Sequence, residues 1–150
     1  MVNDGQFCTF FLDQFFLGVE VGRVQEVIRH QSMTKIPLAP AQIRGLINLR
    51  GQIVTAIDLR TQIGLPERPT GELPMNVVVT GEDGAVSLLV DEIDEVVTVG
   101  AETFAKPPHN LGKSIRELVR GVHKLKGRLM LILDIDSVMR AAAREREARV

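Results

Sequence analysis

The sequence predicts an all-β (mainly β) protein: two small five-stranded β-barrel subdomains, a short helix behind each and a C-terminal helix. Three observations carry that prediction. The chain contains an internal repeat, each copy is a series of short apolar runs cut by glycine turns, and the apolar residues are mostly branched. Trp and Tyr are absent, and five of the six Phe fall within the first 16 residues, so Val, Ile and Leu must fill most of the interior. Branched side chains suit a pleated, half-buried surface.

The repeat is read directly. Residues 43–59 (IRGLINLRGQIVTAIDL) lie over residues 119–135 (VRGVHKLKGRLMLILDI) at an offset of 76. Arg44/Arg120, Gly45/Gly121, Leu49/Leu125, Gly51/Gly127 and Asp58/Asp134 are identical pairs. Upstream the offset is 69: VGRVQEVI (21–28) lies over VDEIDEVV (90–97), with Glu26 on Glu95, and residues 6–18 lie over 75–87. The second copy therefore carries seven extra residues between Val97 and Val119, where KPPHNLGKS reads as loop.

Each copy then yields five strands. In the first they fall near 6–12, 15–21, 24–30, 44–49 and 52–58, with tight turns at Asp13-Gln14 and Arg50-Gly51. In the second they fall near 75–80, 85–90, 93–99, 119–125 and 128–134, turned by Glu82-Asp83-Gly84 and Lys126-Gly127. Helical stretches follow at 59–64 and 136–147, and LPERPTGEL, with two prolines and a glycine, reads as a linker. The expected division is a single domain of two lobes, 6–64 and 75–135, joined by linker 65–74 and followed by a helix at 136–148. Barrels of about 70 residues lie near the lower limit of independent stability, so a shared apolar interface with a groove at its rim is expected. The first strand, 6–12, has the alternative of pairing with the other lobe.

Composition narrows the function classes. The net charge is −1 and the pI about 6.3, so no dominant basic field exists for nucleic acid or anionic membrane. No apolar stretch reaches the length of a membrane-spanning helix. MVNDGQFCTFF lacks the basic segment of a signal peptide, and a single Cys8 fits a reducing compartment, so a cytoplasmic location is expected. Gly112-Lys113-Ser114 resembles the end of a phosphate loop, but Pro107 stands where that loop needs glycine. His30, His109 and His123 sit in no metal-binding frame and read as surface or loop residues; Cys8, in an apolar run, reads as a buried small hydrophobe. No catalytic residue, metal or cofactor is expected.

Three charged features carry alternatives. Residues 82–95 hold six acids and no Lys or Arg: a solvated strand edge, or a docking surface for a basic partner. Residues 113–128 hold six Lys/Arg, which raises a small nucleic-acid-binding β-barrel as the alternative function, but the segment lacks the aromatic platforms that stack bases. Arg44-Gly45 and Asn48-Leu49-Arg50-Gly51 place two forked guanidinium groups beside glycine bends, where they can pair with carboxylates, and Val24 and Glu26 share a face of the third strand.

These residues resemble a known family. FFLDQFFLGVEVGRVQEVI, IPLAPAQIRGLINLRGQIVTAIDLR, LLVDEIDEVV and GRLMLILDID, together spanning about residues 6–139, are similar to the CheW family of bacterial chemotaxis coupling proteins, the NLRG-IV-IDLR run most specifically. Two departures are Thr55, where the family usually has Pro, and Leu17, at a usually aromatic position. The resemblance implies two small β-barrels and a non-enzymatic adaptor, without cofactor, in a chemotaxis signal-transduction system. Its implied partners are the signalling tip of methyl-accepting chemoreceptors and the regulatory domain of a CheA-type histidine kinase, in arrays at the inner membrane without insertion. By motif position it implies receptor contact at Val24, Glu26, Asn48, Arg50, Ile93 and Val96, and kinase contact at Arg44 and Gly45.

Overall fold

Among the described residues eleven strands pair into two sheets, and their order shows how the repeat is assembled. The structure, a computed structural model, describes residues 5–82 and 84–148, with side chains as far as residue 143. Copy one supplies β1 (Gly5–Leu12), β2 (Phe15–Glu20), β3 (Val24–Ile28), β4 (Ile43–Leu49) and β5 (Gln52–Asp58). Copy two supplies β6 (Met75–Gly81), β7 (Gly84–Val90), β8 (Glu92–Val99), a two-residue β9 (Phe104–Ala105), β10 (Val119–Leu125) and β11 (Arg128–Leu133). Helices are α1 (Leu59–Gln62), α2 (Lys113–Arg116) and α3 (Ile135–Ala148). The short α2 lies in the segment read as loop, and Asp83 of the expected β6–β7 turn lies outside the described residues.

One sheet runs β8-β1-β2-β11-β10-β9 and the other β3-β6-β7-β5-β4. The sheets therefore do not follow the expected lobes 6–64 and 75–135. β1 pairs with β8, and β2 goes with it, so the whole first hairpin of copy one joins copy two; hairpin β6–β7 makes the reciprocal exchange. Each exchanged hairpin docks in parallel on the other copy's last long strand, Leu17 beside Leu131 and Val86 beside Thr55. The reason is burial. Exchange places Phe10, Leu12 and Leu17 of one sheet against Val77, Val79 and Leu88 of the other in one shared core. Each barrel keeps only a small interior of its own: Ile47, Leu49, Val54, Ala56, Val78 and Leu89 in one, and Phe7, Phe16, Val99, Met130 and Ile132 in the other. Strand alternation sorts them, Val78 pointing into its barrel and Val77 and Val79 into the interface.

Both sheets close in the same way. After β8 the chain makes a short 3-10 turn and returns as β9 on β10, pairing Phe104 with His123. After β3 it returns at Thr34, which exchanges backbone hydrogen bonds of 2.9 and 2.8 Å with Leu46 of β4. The Arg-Gly pairs of the repeat mark these closures. At each, the ladder register shifts, between Ile43 and Gly45 and between Val119 and Gly121. A Cβ on Gly45 would stand 2.6 Å from the Thr34 carbonyl oxygen, and one on Gly121 2.5 Å from the Phe104 ring. The repeated aspartates also play one role: Asp58 Oδ1 accepts from the Arg60 amide at 3.0 Å at the start of α1, and Asp134 Oδ1 from the Ser137 amide at 3.1 Å at the start of α3.

His123 corrects the reading of the histidines as surface or loop residues. It occupies the position of Ile47 in the repeat and lies fully buried between the Phe7 and Phe104 rings, at 5.7 and 5.6 Å, with Nδ1 2.7 Å from Thr103 Oγ1. The hydroxyl gives the ring a polar partner that periodicity could not reveal. Cys8 is half-buried, and burial pushes its thiol pKa up, which suits a packing residue and not a nucleophile.

Candidate protein-docking site

The β4–β5 hairpin presents the centre of the site. Leu49 pairs with Gln52 across a two-residue turn in which Arg50 (φ 52°) and Gly51 (φ 87°) are both left-handed. Asn48 Oδ1 accepts from the Gly51 amide at 2.9 Å and holds that turn. The Arg50 guanidinium then grips Glu26 on β3 with both terminal nitrogens, at 2.6 and 3.2 Å. A register shift in β3 between Val24 and Glu26 lies at the same point, and Gln25 donates to Gln52 at 3.1 Å beside the pair. These contacts span the seam where β3 and β4, the two ends of their sheet, face each other. Arg50 remains 79% exposed, so its outer face is open to an incoming group.

The structure thus brings Glu26, Asn48 and Arg50 together. Val24 and Ile93 pack on the shared core from different sheets, and Val96 stands on an outer face, 53% exposed. Arg44 and Gly45 sit at another place. Gly45 is buried at the closure, and Arg44 donates to Asp58 at 3.2 Å and to Thr61 Oγ1 at 3.0 Å. Arg44 is the outer member of a network that the sequence did not signal. Arg60 holds Asp91 through two bonds of 2.8 and 2.7 Å, and Arg68 reaches Asp58 at 3.1 Å and Asp91 at 3.0 Å. The segment read as a linker is therefore pinned through Arg68, and only long-range pairing places these groups together. Burial raises the Asp91 pKa, but the hydrogen bonds from Arg60 and from the Asp13 amide, with the Arg60 and Arg68 charges, outweigh it and hold that carboxyl below its usual range. The bond to Asp91 likewise raises Arg60.

The three arginines of the basic segment are engaged internally. Arg116 donates to the Pro108 and His109 carbonyls, Arg120 to Glu20 at 2.6 Å, and Arg128 reaches Asp94 at 3.4 Å while stacking 3.7 Å over the Phe16 ring. Guanidinium groups so occupied make a poor phosphate track. In the acidic segment, Asp94 is in part neutralised by the same Arg128. Among the described residues no cluster of His, Cys, Asp or Glu could hold a metal, and no helix is long and apolar enough to cross a membrane.

Of the exposed apolar residues on the strands, sequence reasoning named Val96 and missed Val27, Ile53 and Leu129. Val27 on β3 and Val96 on β8 are repeat equivalents, and both are exposed; Ile53 on β5 and Leu129 on β11 are equivalents too, 59% and 41% exposed. Four exposed aliphatic side chains thus stand at matched positions of the repeat, two per barrel. The signal was in the repeat, but which face each strand turns outward depends on the register shifts.

Fold and site together define a class: a repeat-built protein of two β-barrels with an exposed Arg50–Glu26 pair and exposed aliphatic residues at matched positions. The CheW-like domain model matches residues 6–143, and the chain belongs to that family. It is 31% identical over 140 residues to the chemotaxis protein CheW of Treponema pallidum, covering 89% of this chain and 82% of that one. It is 28% identical to the chemotaxis protein CheW of Rhizobium meliloti, covering 96% and 86%. The crystal structure of the scaffolding protein TtCheW from Thermoanaerobacter tengcongensis superposes with a TM-score of 0.78 at 28% identity, covering 87% of this chain and 89% of that one.

Proposed function

We propose that this protein is a non-enzymatic adaptor that couples the signalling tips of chemoreceptors to the regulatory domain of a CheA-type histidine kinase. The observation that carries the reading is the exposure of aliphatic side chains at matched positions of the repeat, Val27 and Ile53 on one barrel and Val96 and Leu129 on the other. An adaptor needs more than one protein-binding face, and an internal repeat supplies two from one design. Family membership names the system.

The Arg50–Glu26 pair is assigned to the receptor, together with Asn48 beside it and, by motif position, Val24, Ile93 and Val96. A receptor hairpin lays an apolar stripe on the aliphatic residues, as in helix-in-groove recognition, and Arg50 fixes orientation by a charge-assisted bond. Arg44 and Gly45 are assigned to the kinase side, where Arg44 is a positioned group held by Asp58. Modest affinity suffices, since a Kd of about 1 μM corresponds to about −8 kcal/mol and an array adds multivalency. The protein works in the cytoplasm, at receptor arrays.

The test is a pull-down with purified kinase regulatory domain and receptor signalling fragment, separately and together. Capture of each alone, and of both in one complex, is expected. Failure to retain either partner refutes the reading, and a salt-dependent gel shift with single-stranded DNA would point instead to a nucleic-acid-binding barrel.

A further inference from the structure

Three residues other than glycine have positive φ: Asp13, Leu38 and Arg50, at 54°, 62° and 52° among the described residues. Asp tolerates this conformation because its short polar side chain bonds locally. Arg50 is the centre of the candidate site. Leu38 remains, and nothing in the fold calls for it. It is 95% exposed, the most exposed large apolar residue described. It sits third in the turn Ile36-Pro37-Leu38-Ala39, closed by the Ala39 amide donating to the Ile36 carbonyl at 3.3 Å. Pro second and a left-handed residue third define a type II turn, whose third position glycine or asparagine normally fills. Leucine there is strained and forgoes burial as well.

The presentation is rigid. Pro37 and Pro40 flank the leucine and restrict the backbone. The Ile43 amide donates to Pro40 at 3.0 Å, and the Asp58 amide to Gln42 at 2.7 Å. The loop is thus bonded to the residue that holds Arg44. A single exposed leucine is ordinary on a protein surface; a leucine kept in a glycine conformation, between prolines, at a loop tip is not. Strain of this kind persists where function holds it.

We propose that Leu38 is an apolar anchor that inserts into a pocket on the kinase regulatory domain. This rests on the adaptor reading above. The occupant is a globular domain because a convex tip needs a concave socket, whereas a rod-shaped helical hairpin offers ridges that seek a groove. It is the kinase side because the loop is continuous with Asp58, Arg44 and Gly45.

Calorimetric titration of wild type, Leu38→Asn and Leu38→Met with the kinase regulatory domain tests the proposal, beside receptor-fragment co-sedimentation and thermal melts. Leu38→Asn should bind the kinase domain at least tenfold more weakly, keep receptor binding within twofold, and melt no lower than wild type. Leu38→Met should recover most of the affinity. Kinase affinity of Leu38→Asn within twofold of wild type overturns the anchor and leaves the adaptor reading standing. An equal loss toward both partners also overturns it, as does loss only of concentration-dependent self-association in sedimentation. A wild-type protein that binds no kinase domain refutes the adaptor reading itself.

Discussion

Replacing Gly45 by alanine tests whether the repeated glycine exists to let the barrel close. The new Cβ would stand 2.6 Å from the Thr34 carbonyl oxygen and 3.2 Å from Met33 Cβ, at a φ of +153° that side chains rarely adopt. That oxygen accepts the Leu46 amide at 2.8 Å, so relieving the clash weakens the closing bridge. The strained conformation costs about 1–3 kcal/mol. Losing the two bridge hydrogen bonds adds about 0.5–1.5 kcal/mol each. A total near 3 kcal/mol corresponds to a drop in Tm of about 6–12 °C at this chain length. Without Trp or Tyr, far-ultraviolet circular dichroism or calorimetry is the assay. Gly121→Ala should cost less. Its backbone lies outside the positive-φ group, and its nearest obstacle is the Phe104 ring at 2.5 Å, a side chain that can shift. A Gly45→Ala protein melting within 2 °C of wild type, or a Gly121→Ala protein melting lower than Gly45→Ala, refutes the closure argument.

Arg50→Ala should change stability by less than about 1 kcal/mol, because the exposed pair with Glu26 is screened by solvent. It should still weaken receptor-fragment binding about 5- to 100-fold, measured by co-sedimentation; Glu26→Lys should weaken it further, since reversing a charge adds repulsion to the loss. Acid stability should depend on Asp91. Its folded pKa lies below the unfolded value, so its contribution is complete above the ordinary carboxylate pKa of about 4 and is lost as pH falls through the lower folded value. Melting between pH 6 and 2 should show this limb, which Asp91→Asn should flatten; an unchanged limb in that variant would remove Asp91 as its source. Asp136, where the bonds from Arg23 and the Glu82 amide outweigh burial and hold the carboxyl below its usual range, adds a slope of the same sign.

Much of the molecule was present in the amino-acid order alone. Local alternation and glycine turns determined the ten longer strands to within two residues at either end, and self-similarity determined that the halves are alike. The motif positions also put Arg50 and Glu26 in one site, because a hairpin tip and a short strand leave few places to go. What tertiary structure decided is of longer range. Hairpin β1–β2 crosses to the other half, where Phe10, Leu12 and Leu17 join the shared core, and a repeat looks the same whichever copy its hairpin joins. Tertiary packing decided that Val27, Val96, Ile53 and Leu129 face outward, with a register shift beside Val27 in β3, since a one-residue slip turns a strand over. The pairing of Arg60 and Arg68 with Asp91, and the burial of His123 where its twin is Ile47, likewise required distant segments to meet. Sequence pattern records what each residue does to its neighbours along the chain; these features depend on neighbours that only folding supplies.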